Sequence, residues 1–485
     1  MADHTVLSVK EMQTAEQKVF ARGAKSYDMM KRAGIAVAEI AQERYSGRNF
    51  LVLAGPGNNG GDGFIAAQAL RTQGAKVEVA VMGDPRKLTA DAAHARTAYK
   101  GKTLLLAQAK LKDNPVIIDA LFGTGLTRAI VGEAAALIRA INAKKMDVLA
   151  VDIPSGVQGD SGEVLGTAFE AALTVTFARK KYGHLLMPGR ILSGEVVVAD
   201  IGIDEEAIAA LKPKVRENHP DIWQALLPWP KPEHHKYHRG HTLVLGGEAR
   251  RAGAAKLAAI AALRTGSGLV SIVCEKSDVP VYARTALSLM TQTRDHWKEL
   301  LADERKNTVI IGPGAGVDKA TRNAVLTALK AKKRAVLDAD ALTAFAENAK
   351  ALFAAVKSPC ILTPHTGEFA KLFAGLKGSK LQKALKAASL SHAVVVLKGY
   401  DTVIASPDSR AVINTNAPAT LATAGAGDVL SGICGGLLAQ GMDPFEAACA
   451  AVWIHGEAAG QQAAGLIAED LPGRLPSVLQ ALKML

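Results

Sequence analysis

Leu51-Val52-Leu53-Ala54-Gly55-Pro56-Gly57-Asn58-Asn59-Gly60-Gly61-Asp62-Gly63 is the stretch on which the reading of this chain turns. Its opening apolar residues predict a buried strand, its middle a glycine and asparagine loop, and Phe64 to Leu70 a helix apolar on one side. Strand, glycine loop and helix N-terminus together make a place where backbone N–H groups can face an anion. Glycine suits positions of positive φ or close ligand approach. Gly55, Gly57 and Gly60 spell a G-x-G-x-x-G, a weak dinucleotide signal, and Pro56 counts against it by removing an N–H from the loop. Asp62 would repel a phosphate at the helix start, and its simplest role is an N-cap. Asn58 and Asn59 supply more oxygens and amide donors than a turn needs, so the loop is expected to bind a ligand.

Outward from that loop, residues 11 to 45 read as two helices whose apolar positions form a packing face. Leu51–Ala54, Lys76–Met82, Val116–Asp119 and Val148–Asp152 read as strands separated by helices, which argues for a parallel sheet covered on both faces. Polar residues collect at the carboxyl ends of three of them: Asn58, Asn59 and Asp62; Asp119, followed by Leu121 to Leu126; and Asp152, followed by Pro154, Ser155 and Gly156. Ligands of open α/β sheets bind outside the carboxyl ends, so these groups should converge.

Length and composition bound the rest. At 485 residues, 49% of them hydrophobic and 21% charged, the chain reads as soluble globular protein of two or three domains. The net charge of +12 is spread along the chain. It forms no basic stripe or nucleic-acid module, so no nucleic-acid partner is expected. No apolar run approaches a membrane span. The four cysteines, Cys274, Cys360, Cys434 and Cys449, show neither metal nor disulfide spacing, and a cytoplasmic location is expected.

Around 206–232 the pattern lapses into a proline-rich span with Trp223 and Trp229, read as a linker with some local packing. His234, His235, His238 and His241 follow, and are expected as a charged surface entry to the next domain rather than a metal site. Strands then alternate with helices again, and each strand ends in a polar or glycine loop: Gly246-Gly247, Gly312 to Gly316, Asp338-Ala339-Asp340, Thr363 to Glu368, and Lys398-Gly399. The sharpest element is Thr423-Ala424-Gly425-Ala426-Gly427-Asp428. Small residues there lead into a helix start that can hold a phosphate, with an aspartate placed to take a hydroxyl proton.

These motifs carry a resemblance. Residues 1–205 resemble the NAD(P)H-hydrate epimerase domain, by G-P-G-N-N-G-G-D-G at 55–63, D-A-L-F-G-T-G at 119–125 and V-D-I-P-S-G at 151–156. Residues 232–485, after a linker at 206–231, resemble the ADP/ATP-dependent NAD(P)H-hydrate dehydratase, a ribokinase-like domain. Its marks are G-P-G-A-G at 312–316, L-D-A-D-A-L at 337–342, T-P-H-T-G-E at 363–368, L-K-G at 397–399 and G-A-G-D at 425–428. The resemblance implies two α/β domains, Rossmann-like then ribokinase-like. It implies a repair enzyme that interconverts the R and S hydrates of NADH and NADPH, then phosphorylates the S hydrate and eliminates phosphate to restore the coenzyme.

It also implies the sites. Asn58, Asn59, Gly60, Gly61 and Asp62, the loop Gly123-Thr124-Gly125-Leu126-Thr127-Arg128-Ala129 and Asp152 would hold the hydrate in the first domain, with Asp152 moving protons. Asn59, Asp119 and Ser155 would bind potassium, which oxygen ligands suit. In the second domain Ala255, Gly314, Gly316 and His365 would contact the hydrate, and Asp428 would be the base. Lys398, Gly399, Tyr400, Asp401, Thr402 and Gly427 would contact ADP or ATP, the co-substrate taken with Mg2+. The expected partners are these small molecules, with no membrane, and the chain is expected to be a homo-oligomer. The family has glycine where this chain has Ala424 and Ser or Thr where it has Ala426, so a hydroxyl is lost while the backbone N–H groups remain. The runner-up is a ribokinase-like small-molecule kinase fused to a nucleotide-binding domain. Related vitamin-precursor kinases carry Asn in place of His365, which favours the dehydratase.

Overall fold

The apolar runs ahead of the glycine loops are strands in the computed structural model, which describes residues 4–84, 88, 90–462 and 464–484. Two units emerge: one is Thr5–Val215, the other Arg216–Leu485 with His4.

The first unit holds seven strands: β1 (Phe50–Ala54), β2 (Val77–Val81), β3 (Thr103–Leu105), β4 (Val116–Ala120), β5 (Val148–Val151), β6 (Leu173–Phe177) and β7 (Glu195–Ala199). Their order is β3-β2-β1-β4-β5-β6-β7 and every pairing is parallel. The alternation of side chains divides β1 between two cores. Phe50, Val52 and Ala54 pack with Ala33, Val37 and Phe64, while Leu51 and Leu53 pack with Ile138 and Ile141 on the opposite face. The order reverses between β1 and β4, which opens a crevice at their carboxyl ends. Sequence patterning missed β3, β6 and β7; β3 is short, and β7 is a half-exposed edge.

The helix after β1 corrects the opening motif. It runs Asn58–Thr72, so residues expected as loop form its first turns. Its N-cap is Gly57, not Asp62, which falls beyond the first turn. The glycines serve close packing: a Cβ on Gly60 would lie 1.9 Å from the carbonyl oxygen of Gly55, and one on Gly63 2.6 Å from Ala120 Cβ.

The second unit is built on a ten-stranded sheet. Its strands are β8 (Val215–Glu217), β9 (His241–Leu245), β10 (Leu269–Cys274), β11 (Met290–Thr293), β12 (Thr308–Ile311), β13 (Arg334–Leu337), β14 (Cys360–Leu362), β15 (Val394–Leu397), β16 (Val403–Ala405) and β17 (Ala411–Ile413). The order is β11-β10-β9-β12-β13-β14-β15-β16-β17-β8. Pairing is parallel from β11 through β15 and antiparallel between β15, β16 and β17. Helices Ala252–Arg264, Ala426–Ala439 and Pro444–Gly460 cover one face with a small-residue core of Ala258, Ala262, Val429 and Ile433.

The span 206–231 is packed, not extended. The division between units falls inside it, after Val215. Trp223 is buried beside Trp453, and its Nε1 donates to Asn218 Oδ1 at 3.1 Å. His241, expected at the surface, is buried at the start of β9 with Nε2 2.9 Å from Ser271 Oγ. Residues 216–231 therefore belong with the second unit. A fragment beginning at Pro232 loses the Trp223 anchor, whose truncation alone costs roughly 3–5 kcal/mol. We expect it to unfold at a lower thermal midpoint than one beginning at Arg216, with calorimetry on the two fragments as the check.

Candidate active sites

The crevice of the first unit is a cleft of about 550 Å3 at the carboxyl ends of β1, β4 and β5. Asn58, Asn59 and Asp62, the loop from Gly123 to Arg128, and Asp152 all line it. Gly60, Gly61 and Ala129 do not; Gly60 and Gly61 are buried in the helix packing. A Cβ on Gly123 would lie 3.2 Å from Asn59 Oδ1 and 3.3 Å from Asp152 Oδ2, so glycine lets the loop cross close over both.

Asp152 follows β5 in the left-handed region, with φ of +66°. Its Oδ1 is 2.7 Å from Lys181 Nζ and accepts from Thr176 Oγ1 at 3.1 Å. Thr124 N–H reaches its other oxygen at 3.4 Å. Burial would raise this carboxyl, but Lys181 overrides it and holds the group below the ordinary carboxylate range. Lys181 is 1% exposed and also donates to Thr176 Oγ1 at 2.7 Å. His184 locks the pair from behind. Its Nδ1 accepts from the Lys181 N–H at 2.9 Å and its Nε2 stands 2.8 Å from the Asp152 carbonyl oxygen. Burial, then Lys181, lowers this imidazole to about 4, so the ring is neutral and Nε2 is the donor.

Two more carboxyls face the cleft. Burial first, then Asp152 and Glu16, push Asp62 well above its ordinary value. Glu16 is raised by burial and by Asp152. One lysine thus serves three carboxyls, and Asp152 takes it.

Asp119 is fully buried on β4 beneath the loop. Its oxygens accept from Ser155 N–H at 2.7 Å, Ser155 Oγ at 2.6 Å and Leu121 N–H at 3.2 Å. Ser155 Oγ also meets Phe122, accepting from its N–H at 2.8 Å and lying 3.0 Å from its carbonyl oxygen. Burial raises Asp119 to about 7 despite the Ser155 hydrogen bonds. Among the described residues no basic side chain pairs with it.

In the second unit Lys398, just after β15, donates at 2.8 Å to Oδ1 of Asp338, just after β13. Ser431 Oγ donates to the other Asp338 oxygen at 2.7 Å, and Glu368 Oε2 stands 4.0 Å from Lys398. Burial works to lower the Lys398 ammonium, but Asp338, Glu368 and Asp428 together raise it. Gly427 belongs here, since a Cβ on it would be 3.4 Å from Lys398 Nζ. Asp428 sits in the first turn of Ala426–Ala439, whose N-cap Gly425 has φ of +85° and offers no side chain to the free N–H groups. Burial, then Asp338, raises Asp428 to about 7 against the pull of Lys398.

Gly316 N–H donates to Asp340 Oδ2 at 2.8 Å, and Arg251 is 3.8 Å from the same oxygen. A Cβ on Gly314 would lie 2.6 Å from the Arg251 carbonyl oxygen, against the first turn of the helix that carries the fully buried Ala255. His365 caps the helix Thr366–Leu372, and its Nε2 is 3.3 Å from Glu368 Oε1. In the Lys398–Thr402 loop, Thr402 Oγ1 donates to the Gly399 carbonyl oxygen at 2.7 Å, Asp401 pairs with Lys380, and Tyr400 is exposed.

Residues 242–480 match the NAD(P)H-hydrate dehydratase family model, and 26–183 the YjeF-related protein N-terminus. A bifunctional NAD(P)H-hydrate repair enzyme of Moorella thermoacetica is 37% identical over 492 residues, covering 94% of this chain and 92% of that protein. One from Escherichia coli is 32% identical over 493 residues, covering 98% and 94%. This chain belongs to the bifunctional NAD(P)H-hydrate repair enzymes. The family's two activities are epimerisation and dehydration of hydrated NAD(P)H. A ribokinase-like superfamily protein of Enterococcus faecalis matches with a TM-score of 0.50 at 22% identity, over 56% of this chain and 96% of that one, which bears on fold alone.

Sequence reading of the repair enzyme missed Lys181, Glu16, Thr176 and His184, and gave Asp338, Glu368 and Ser431 no role. Lys181 stands in a basic run, Arg179-Lys180-Lys181, that looks solvated until β6 delivers it to the cleft. Breaking a buried ion pair costs about 3–5 kcal/mol because the surviving charge is stranded. Lys181→Met should show that loss in thermal unfolding. Asn tolerates the left-handed backbone at 152, so adding Asp152→Asn to Lys181→Met should recover most of it.

Proposed function

We propose that the first cleft epimerises the hydrate through Asp152 and Asp62 acting as a base and an acid of opposite protonation state. The observation that carries this reading is the single buried lysine among three carboxyls, which holds Asp152 low while burial and its neighbours lift Asp62 in the same cleft. The hydrate bears a hydroxyl on the ring carbon next to nitrogen. Asp62 gives its proton to that hydroxyl, the C–O bond breaks, and the nitrogen lone pair forms C=N as water leaves. Water then adds to the opposite face and yields a proton to Asp152, and that proton returns to Asp62 through solvent, which resets the pair. Arg128, at the rim, suits the coenzyme's phosphates.

Asn59, Asp119 and Ser155 fit a potassium ion. Burial raises Asp119, no basic side chain among the described residues pairs with it, and a cation there would let it ionise; Asn59 Nδ2 is buried without a hydrogen-bond partner. An amide flip would turn an oxygen to that place. The ion would supply fixed charge that neutralises Asp119 and shapes the 122–128 loop. Epimerisation of the R hydrate, followed by coupling to S-specific dehydration, should slow when potassium is exchanged for a bulky organic cation. Asp119→Ala should remove that dependence, and Asp152→Asn should lose roughly two to four orders of magnitude in rate. Unchanged conversion by Asp152→Asn would sink the assignment.

In the second domain we propose that Asp428 takes the proton of the S hydrate's hydroxyl as it attacks the terminal phosphoryl group of ADP or ATP. Phosphate then leaves with the adjacent ring proton to restore the double bond. Lys398 and the uncapped turn at Gly427 would hold the phosphoryl oxygens. Asp338 and Asp340 suit a Mg2+ ion, which would neutralise charge on the nucleotide. Asp428 must be ionised to act. Its raised value of about 7 therefore predicts that kcat/KM for dehydration climbs with pH through that region and then levels. Asp428→Asn keeps the shape but should cost roughly two to four orders of magnitude with nucleotide affinity retained. A flat pH profile in wild type would count against the role.

A further inference from the structure

A third group of chemistry-bearing side chains lies outside both sets of catalytic residues. His4, His219 and Asp221 bring one ligand atom each to within 4.8 Å of one another. Asp221 Oδ2 is 3.1 Å from His4 Nε2 and 3.4 Å from His219 Nδ1, and the two imidazoles stack with centroids 4.0 Å apart. All three residues belong to the same unit. We propose that they form a site for a borderline divalent transition-metal ion, zinc being the type, which fastens His4 to the segment 217–221.

The donor set selects that class. Two imidazole nitrogens and one carboxylate oxygen suit zinc, cobalt or nickel, whereas magnesium, calcium and potassium prefer oxygen alone. Three protein ligands leave a position for water. The backbone holds the ligands in place without a metal. Glu217 N–H donates to the His4 carbonyl oxygen at 2.9 Å, so the His4 backbone is tied beside β8. Asn218 anchors the turn from below: its Nδ2 donates to Asn414 Oδ1 at 2.8 Å and to the Cys449 carbonyl oxygen at 2.9 Å, and its Oδ1 receives Trp223. His219 Nδ1 now accepts the Asp221 N–H at 3.3 Å, a long contact that an ion would replace. No other group of three such ligands occurs among the described residues. His234 and His235 both pack their rings on His238 close by in sequence, but among the described residues they form no three-ligand group with a carboxylate, and they make an internal control.

The test uses the full chain, free of any polyhistidine tag and stripped with a chelator. Cobalt titration followed by visible absorption, and zinc titration by calorimetry, should give one ion per chain. His219→Ala and Asp221→Ala should each weaken binding by roughly tenfold or more, while a His234→Ala/His238→Ala variant binds as wild type. His4→Gln guards against misfolding: its metal-free thermal midpoint should match wild type, and zinc should raise the midpoint of wild type but not of this variant. The proposal is overturned if wild type takes up no ion in stoichiometric excess. It is equally overturned if binding survives His4→Gln, His219→Ala and Asp221→Ala, or disappears in the His234→Ala/His238→Ala control.

Discussion

Each of the two candidate sites turns on a single lysine shared among several carboxyls. Lys181 faces Asp152, with Glu16 and Asp62 on the same cleft, and Lys398 faces Asp338, Glu368 and Asp428. A buried cation can neutralise one acid fully, and the rest are left with burial and mutual repulsion. The result is a sorted set: Asp152 is held low by Lys181, while Asp62, Glu16, Glu368 and Asp428 are lifted. Acid–base chemistry near neutral pH needs that spread of proton affinities, and a cleft with matched charges would not produce it.

The sheets determine where such sorting can occur. In a parallel sheet covered on both faces, the crevice beyond the carboxyl strand ends is where polar groups from distant strands meet without crossing the core. β1, β4 and β5 deliver Asn59, Asp119 and Asp152, while β13 and β15 deliver Asp338 and Lys398. The glycines of the first motif keep that crevice narrow. Gly60 lets its helix press on the Gly55 backbone and Gly63 lets it press on β4, so the helix begins inside what looks like a loop.

Local pattern made the strand–glycine–helix units legible, along with the residues at the strand ends that later met in the clefts. It misread Asp62 as a cap, because capping is the commonest use of an aspartate near a helix start, and only the position of Gly57 shows that the helix starts earlier. It could not see Lys181, since a run of three basic residues looks like solvated surface until β6 turns one of them inward. It also left Asp338 unassigned: its role depends on Lys398, sixty residues further on, and no local spacing links them. The metal-ligand group joins His4 to His219 and Asp221 across more than two hundred residues, and sequence carries no sign of it.

The two sites use the same imbalance differently, and the difference follows from which acid the lysine chooses. In the first domain Lys181 pairs with Asp152, a group that lines the cleft, so in the proposed epimerisation the base is itself the one held by the lysine. In the second, Lys398 pairs with Asp338, which is buried and further tied by Ser431, while Asp428 stays unpaired beside the uncapped helix turn. The lysine there is tied to a carboxylate that also suits Mg2+, and in the proposed transfer its remaining donors would be left for phosphoryl oxygens. Asp428 sits near neutrality, able both to take a proton and to release it. A reversible epimerisation is served by a base and an acid set far apart in affinity. A phosphoryl transfer followed by elimination is served by one carboxyl whose affinity lies at the working pH.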